Sequence, residues 1–361
     1  MRIVHLAPSM ENVGNGIVNA TVDLACTQAA AGHDVTVASS GGAFVGLLAR
    51  HGVRHEALSL RRTPGSMIRT SRRFVALVNA LRPDVVHAHV MTAALLARGM
   101  RPFARARYGL VGTVHNEFRR DAVLMGASDR VIAISDAVFT AMARRGIPRR
   151  KLRVVKNGTL GSPRQTAAES AAPKALARPA VTTVAGLFER KGIADLIDAF
   201  EALSRRDAHL YVVGDGPERA RFEAYARAAS SHDRIHFEGF QPSPAAYLAS
   251  TDVFVLASRA EPWGLAISEA REAGCAIVAT AVGGIPEQLE GGRAGTLVPP
   301  RAPRALAAAI DALLDDPAAL ADARLRSARD LEPFRVERVM AQTVDVYSEL
   351  VGLGGRAGAA P

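Results

Sequence analysis

Hydrophobic and polar positions along the chain follow two alternating patterns. Short apolar runs, with the length and composition of buried parallel strands, recur through both halves and are separated by stretches of helical composition. The first half has such runs at 3–7, 34–38, 85–89, 111–114, 131–134 and 152–155. The second half has them at 182–186, 210–214, 235–239, 253–257 and 276–280. This alternation predicts two doubly wound α/β domains, each built on a parallel sheet.

The periodicity fails at 159–179, which indicates a boundary between the two domains. We therefore predict a first domain at 1–165, a linker at 166–179 and a second domain at 180–334. A stretch at 335–350 has helical spacing and no strand partner, and the glycine-rich tail at 352–361 is expected to be flexible. Two open α/β domains joined by a linker form a cleft at the carboxyl ends of their strands.

Two glutamates follow one of the predicted strands of the second domain. Glu261 stands at the exit of the strand at 253–257, and Glu269 lies about one turn inside the helix that follows. Gly264 falls in the turn between strand and helix, where its backbone freedom is useful. Two glutamates eight positions apart are common on solvated surfaces, so the interest of this pair comes from the strand–turn–helix context.

The start of that helix is a candidate anion site. We expect free backbone N–H groups at Gly264, Leu265 and Ala266, and a helix N-terminus is positively polarised. A phosphate would bind these N–H groups, while Glu261 and Glu269 would bind hydroxyl groups. Such an arrangement suits a sugar nucleotide.

A glycine loop follows the first predicted strand. Gly14 and Gly16 precede a helix that begins near Ile17, and glycines at this place let the backbone approach a phosphate closely. The loop is not a dinucleotide fingerprint, because Asn19 stands where the third glycine would be. An ordinary loop explains these glycines equally well, and Gly16 is the candidate contact.

Three histidines end predicted strands of the first domain. His87 and His89 share one face of their strand, but the sequence shows no third ligand for a metal site, so we predict none. His115 ends the next strand at the same edge of the sheet. Ser135 begins a helix, and helix capping explains it fully.

A basic loop at 185–192 follows the first strand of the second domain. Arg190 offers a planar fork of donors and Lys191 a point charge, which together could neutralise a leaving diphosphate. A solvated basic turn is the alternative.

These segments together resemble the retaining glycosyltransferases of family 4. Glu261 and Glu269 match the E-x7-E motif of that family, and Lys191 and Gly192 match its basic loop, although Leu187 replaces the usual arginine. We expect Arg190 to substitute for that arginine. Further matching segments are Gly214-Asp-Gly-Pro217, Phe237-Glu-Gly-Phe-Gln241, Gly283-Gly-Ile-Pro-Glu287 and Gly295-Thr-Leu-Val-Pro299.

The resemblance implies a GT-B fold, in which two Rossmann-like domains face a cleft and the last helix packs back on the first domain. It implies a sugar transfer from a UDP- or GDP-linked donor to a carbohydrate or lipid-linked acceptor, with retention of anomeric configuration and without a cofactor. The implied contacts are Glu261 and His115 on the sugar, Arg190, Lys191, Gly16, Gly264 and Leu265 on the diphosphate, Glu269 on the ribose, and Phe240 and Gln241 on the base. The sequence contains no Asp-x-Asp pair of the kind that holds a divalent ion, which favours metal-independent chemistry.

Charge is unevenly distributed between the two halves. Residues 1–170 contain 24 lysines and arginines against 10 acidic residues, while residues 171–361 contain 21 against 25. A basic first half implies an anionic partner, which nucleic acid, acidic lipid or a lipid-diphosphate acceptor would satisfy. We favour an anionic membrane surface, with Arg61, Arg62 and the segment 69–73 leading the contact.

Composition sets the remaining expectations. A chain of 361 residues with 48% hydrophobic content can build two full cores, and its early first strand predicts no signal peptide. Cys26 and Cys275 lie in apolar helical segments, so we expect buried free thiols and a cytoplasmic protein, peripheral on the inner membrane face.

Two alternatives remain. A GT-B sugar-nucleotide epimerase would keep the fold, but the context of Glu261 and Glu269 does not support it. A basic nucleic-acid-binding protein is disfavoured, because the arginines are scattered and aromatic content is only 5%.

Overall fold

The structure, a computed structural model, describes residues 1–60, 64–118, 120–165 and 172–354. The chain divides into two compact units. Unit 1 is Met1–Arg164 together with the chain from Phe334 onwards, and unit 2 is Gln165–Pro333. Residues 352–354 of the predicted flexible tail belong instead to the last helix, whereas 355–361 and the part of the predicted linker at 166–171 lie outside the described residues.

Unit 1 is built on a seven-stranded sheet. Its strands are β1 (Arg2–Leu6), β2 (Asp34–Ser39), β3 (Arg54–Ala57), β4 (Val85–Ala88), β5 (Gly109–Val114), β6 (Arg130–Ala133) and β7 (Leu152–Val154). Its first helices are α1 (Gly16–Ala30), α2 (Val45–Arg50), α3 (Pro64–Leu81), α4 (Met91–Met100) and α5 (Asp136–Arg144). All neighbouring strands are parallel in the order β3-β2-β1-β4-β5-β6-β7, so the chain order reverses between β1 and β4.

Unit 2 repeats this plan with six strands. They are β8 (Ala180–Val184), β9 (His209–Val213), β10 (Ile235–Gly239), β11 (Val253–Leu256), β12 (Ala276–Thr280) and β13 (Thr296–Val298). Its helices are α6 (Ile193–Glu201), α7 (Arg219–Arg227), α8 (Ala245–Leu248), α9 (Leu265–Glu272), α10 (Ile285–Gln288), α11 (Pro303–Leu314) and α12 (Pro317–Ser327). The order is β10-β9-β8-β11-β12-β13, again parallel, with the reversal between β8 and β11.

The prediction of two doubly wound parallel sheets is confirmed, but the strands β3 and β13 were not predicted. β3 reads Arg54-His-Glu-Ala57 and is largely exposed at the sheet edge, so it has no apolar run to mark it. β13 has only three residues and also lies at an edge. Edge strands need less apolar sequence than central ones because one side faces solvent.

The last helix, α13 (Val336–Gly354), belongs to unit 1. It packs against α1, and Val346 and Tyr347 are buried in the core of that unit. Cys26 and Cys275 are free and buried, as expected, and burial raises the pKa of each thiol to about 12. Both thiols are therefore packing groups.

Candidate functional site

The loops that follow β8 and β11 meet at the reversal point of the sheet in unit 2. Arg190 lies in a short 3-10 turn, Glu189–Lys191, and its carbonyl accepts a hydrogen bond of 2.8 Å from the N–H of Arg259. Gly192 ends that turn with φ 66°, and a Cβ there would lie 2.0 Å from the carbonyl oxygen of Ala257. Only glycine permits this approach of the two backbones.

Lys191 and Glu261 form a buried ion pair at this meeting point. The Nζ of Lys191 contacts Oε2 of Glu261, and their side chains are 13% and 5% exposed. Ser258 donates a weaker hydrogen bond of 3.4 Å to the same carboxylate oxygen. The structure thus brings together two of the predicted site residues, and it fixes the lysine ammonium group at the carboxyl ends of adjacent strands.

Arg259 is a site residue that the sequence analysis missed. Its guanidinium binds both carboxylate oxygens of Asp195, each at 2.7 Å, and also contacts Glu189. The hydrogen bonds that Arg259 donates to Asp195 are the main reason why the pKa of Arg259 is raised. Arg259 therefore ties the loop after β11 to the basic turn, whereas Arg190 is half-exposed with its guanidinium over the ring of Phe188.

The predicted anion site at the start of α9 needs a correction at Gly264. Its N–H is not free, because it donates to Oε1 of Gln288 at 3.0 Å, and the Nε2 of Gln288 donates back to the carbonyl of Gly264 at 3.0 Å. A side chain 24 positions away satisfies this backbone group, which no local pattern could indicate. Leu265 and Ala266 begin α9, where N–H groups have no intrahelical acceptor.

The helix α9, which places the half-buried Glu269, is anchored by a buried arginine. Arg271 is fully buried and donates to the carbonyl oxygens of Ser327 at 2.8 Å, Gln288 at 2.6 Å and Arg329 at 2.6 Å. Arg271 was not among the predicted site residues.

Several matching glycines serve backbone packing. Gly283 has φ 53°, and a Cβ there would lie 1.9 Å from the carbonyl oxygen of Glu261. A Cβ at Gly216 would lie 2.5 Å from the carbonyl oxygen of Leu187, and Leu187 itself is buried in the hydrophobic core. These glycines therefore set the positions of Glu261 and of the basic loop.

The predicted base contacts follow the edge strand β10. Phe240 and Gln241 are half-buried, and Nε2 of Gln241 donates to the carbonyl of Glu238 at 2.9 Å. Their role stays a prediction.

In unit 1, the glycine loop leads directly into α1. The helix begins at Gly16, which is exposed, and Asn15 caps it by accepting a hydrogen bond of 3.0 Å from the N–H of Ile17. Ser135 caps α5 by accepting from the N–H of Val138 at 3.1 Å, as expected. The contact of Gly16 with a diphosphate stays a prediction.

The histidines of unit 1 form a larger cluster than the sequence analysis recognised. His5 pairs in register with His87 on the adjacent strand. It is a third imidazole beside His87 and His89, whereas no third ligand was expected. His115 is half-buried at the edge of this cluster, and its Nε2 lies 3.1 Å from Nδ1 of His89. A pocket beside the cluster is lined by His89, His115 and Asn157, among others.

Two family profiles match consecutive parts of the chain. Glycosyltransferase Family 4 matches residues 14–159, and Glycosyl transferases group 1 matches residues 165–330. The glycogen synthase of Mycobacterium tuberculosis is 30% identical over 309 residues, which span 78% of this chain and 73% of the relative. The chain belongs to glycosyltransferase family 4.

Further proteins resemble this family 4 glycosyltransferase over different shares of the chain. The N-acetyl-alpha-D-glucosaminyl L-malate synthase of Bacillus anthracis is 31% identical over 163 residues, which cover 45% of this chain and less than half, 43%, of the relative. The crystal structure of Anabaena HepE in complex with UDP-glucose has a TM-score of 0.81 at 22% identity, covering 97% of this chain and 100% of HepE. The predicted GT-B fold is therefore confirmed.

Among the described residues, none of the helices combines the length and the apolar character that crossing a membrane requires.

Proposed function

We propose that this glycosyltransferase moves a sugar from a nucleotide-sugar donor to a glycan or lipid-linked acceptor, with retention of configuration, in polysaccharide or glycoconjugate synthesis. The observation that carries the proposal is the buried Lys191–Glu261 pair at the reversal point between β8 and β11. Open α/β sheets bind their ligands at this point. An ammonium group held there by a carboxylate is well placed for a diphosphate.

The leaving diphosphate gains negative charge as its bond to the anomeric carbon breaks. Lys191 and Arg190 supply positive charge in the same loop, and the N–H of Leu265 lies at the positively polarised start of α9. In unit 1, the backbone of Gly16 is the proposed diphosphate contact. The N–H of Gly264 is not a proposed diphosphate contact, because it already donates a hydrogen bond to Gln288.

The proposed donor is a UDP-sugar, with a GDP-sugar as the second candidate. Support for UDP comes from HepE, whose structures contain UDP and UDP-glucose. Glu269 would bind the ribose hydroxyls, while Phe240 and Gln241 would contact the base.

Glu261 and His115 are proposed to bind hydroxyl groups of the sugar or acceptor. Retention would follow from attack on the face that the diphosphate leaves, through a state with oxocarbenium character. No side chain is assigned as a nucleophile. Because the sequence lacks an Asp-x-Asp pair, we propose that Lys191 and Arg190 take the place of a divalent ion. Full turnover in EDTA is expected, and loss of turnover that manganese restores would contradict this step.

A panel of UDP-, GDP- and ADP-sugars in thermal unfolding tests the donor. We expect stabilisation by one nucleotide class, its loss in Glu269→Ala, and a loss of turnover greater than the loss of binding in Glu261→Ala. Glu272→Ala on the same helix is the matched control and should bind the donor normally. The anomeric coupling of the product in proton NMR reports retention. Absence of stabilisation by every sugar nucleotide would refute the proposal.

The helix α3 supports docking on an anionic membrane. It exposes Met67 and Ile68, at 56% and 61%, beside the exposed Arg69, Arg72 and Arg73. Apolar side chains next to basic ones are typical of helices that lie in a membrane interface. Arg61 and Arg62 lie outside the described residues.

Flotation with vesicles tests this docking. Binding to vesicles that contain anionic lipid is expected. The double variant Arg72→Glu/Arg73→Glu should lose this binding, whereas the exposed control Arg227→Glu of unit 2 should keep it. Equal binding to neutral vesicles would refute the electrostatic argument. Salt-sensitive RNA binding without sugar transfer would instead favour the nucleic-acid alternative.

A further inference from the structure

A chain of hydrogen-bonded side chains runs through the interior of unit 1 and ends at His115. Oε1 of Gln28 lies 2.7 Å from Nε2 of His5, and Nδ1 of His5 lies 2.9 Å from Nε2 of His89. Nδ1 of His89 lies 3.1 Å from Nε2 of His115. Gln28, His5 and His89 are buried, whereas His115 is half-buried. The chain thus connects α1 to the ends of β4 and β5.

Burial keeps these imidazole rings neutral. It lowers the pKa of His5 and of His115 to about 4, and it lowers the pKa of His89 well below the ordinary value. A neutral imidazole has one N–H and one lone pair, so a ring bonded at both nitrogens donates at one and accepts at the other. One assignment at the start of the chain therefore fixes all the others.

Gln28 makes that assignment. Its carbonyl oxygen faces His5 and can only accept, so the proton of His5 lies on Nε2. Nδ1 of His5 then accepts from the Nε2–H of His89. Nδ1 of His89 in turn accepts from the Nε2–H of His115. His115 is left with an unprotonated Nδ1.

Tyr347 of α13 orients the amide of Gln28. Nε2 of Gln28 donates to the hydroxyl oxygen of Tyr347 at 3.3 Å, and this oxygen lies 2.6 Å from Nδ1 of His87. When the Tyr347 hydroxyl donates to His87, its lone pair is available to Gln28. Nε2 of His87 then donates to Oγ1 of Thr113 at 2.7 Å, which completes the branch.

We propose that Gln28, acting through His5 and His89, holds His115 in the tautomer with an unprotonated Nδ1, so that His115 offers a hydrogen-bond acceptor to a substrate hydroxyl. The inference rests on the proposed function, in which His115 contacts a hydroxyl of the sugar or acceptor. Gln28, His5 and His89 are positioning residues. These residues fix which nitrogen of His115 carries the proton. Hydrogen-bond partners fix the tautomer of metal-bound and catalytic histidines in the same way.

Metal binding is the competing use of the same nitrogen atoms. One ligand atom from each of His5, His87 and His89 lies within 4.8 Å of the others, and three imidazoles can hold zinc. In the structure, His5 and His89 instead bond each other at 2.9 Å, and His87 bonds Tyr347 and Thr113. An ion would consume the lone pairs on which the chain depends.

Nitrogen-15 NMR of the full-length protein, labelled on histidine, reports the tautomer of each ring without any substrate. At pH 7 we expect His115, assigned by the loss of its signals in His115→Gln, to carry its proton on Nε2. Gln28→Met removes the acceptor, so the single tautomer should give way to a mixture. Gln28→Glu keeps an acceptor and should keep the tautomer.

Cys26→Ala, another buried position of α1, controls for loosening of the helix and should leave the tautomer of His115 unchanged. A proton on Nδ1 of His115 in the wild-type protein would overturn the proposal, as would an unchanged single tautomer in Gln28→Met. Capture of added Zn²⁺ with shifts of the His5 and His89 nitrogens would also overturn it. Because no substrate is present, absence of sugar transfer together with the expected tautomers would count against the proposed function alone.

Discussion

The two units have the same strand order at their reversal points, but the side chains there are neutral in unit 1 and charged in unit 2. Between β1 and β4, unit 1 places neutral imidazoles that bond one another, with Gln28 and Tyr347 as polar partners. Between β8 and β11, unit 2 places the charged pair Lys191–Glu261 and the charged side chain of Arg259. One topology therefore supports either a neutral site, which suits hydroxyl groups, or a charged site, which suits phosphates.

The largest effect is expected from Lys191→Met. Sugar transfer should fall roughly 100-fold, because one cationic group that stabilises the leaving diphosphate is lost. Glu261 would also remain buried without its partner, which costs about 3–5 kcal/mol of unfolding free energy. Steady-state kinetics and urea denaturation measure the two losses. The double variant Lys191→Met/Glu261→Gln should recover stability but not transfer.

Unit 1 offers a matched control for that variant. Arg164 pairs with Asp23 at the same exposures, 13% and 5%, but lies outside the proposed chemistry. Arg164→Met should therefore lose comparable stability while its turnover at low temperature stays close to normal. Equal loss of turnover in both variants would mean that Lys191 acts only through stability.

Mild acid should weaken unit 1 before unit 2. The pKa of His5 is lowered from 6.5 to about 4 in the folded state, so the unfolded state binds more protons and stability falls as pH drops from 6.5 towards 4. This shift corresponds to roughly 3 kcal/mol. In unit 2 the hydrogen-bonded carboxylates Glu201 and Asp207 have a pKa of about 2, so their stabilisation is lost only as pH falls from about 4 to 2.

Hydrogen–deuterium exchange at pH 7 and pH 5, corrected for intrinsic rates, measures this difference. Peptides that contain β1 and β4 should lose protection at pH 5 while peptides that contain β8 and β11 keep it. Simultaneous loss in both units would show that the histidine cluster does not govern the acid response.

Smaller losses of stability are expected from alanine at two glycines of unit 2. They distinguish the cost of a positive φ from the cost of a clash with a neighbouring backbone atom. Gly192 and Gly274 have almost the same φ, 66° and 67°, but only Gly192 faces a neighbouring backbone atom. Gly274→Ala should cost about 1 kcal/mol, and Gly192→Ala about 3 kcal/mol. Gly192→Ala should also raise the KM for the donor, because the turn that holds Lys191 must move. Equal costs in urea denaturation would show that the approach to Ala257 is unimportant.

Local patterns predicted the parts of the site that depend on local structure. The apolar runs gave the central strands, the turn at Gly264 gave the start of α9, and Ser135 was correctly interpreted as a helix cap. Gln288 and Arg259 were missed because their partners lie 24 and 64 positions away in sequence. No helical or strand periodicity indicates such contacts.

His5 is the residue that a fuller use of topology could have found. A doubly wound sheet with the order 3-2-1-4 places the first strand beside the fourth, so the histidine of β1 lies next to those of β4. The structure shows this neighbour relation in the register of His5 with His87. The role of Gln28 could not be found in this way, because it depends on which side chains of α1 face the sheet.

The position of Tyr347 sets the order in which the protein can mature during translation. The hydroxyl that orients Gln28 is supplied by the last helix, after all of unit 2 has been made. A nascent chain can form the sheet of unit 1 early, but its histidine network is completed only after the residues of unit 2 have been translated. An isolated amino-terminal fragment would lack this tyrosine, and a minimal version of unit 1 must carry residues 334–354 fused behind residue 164.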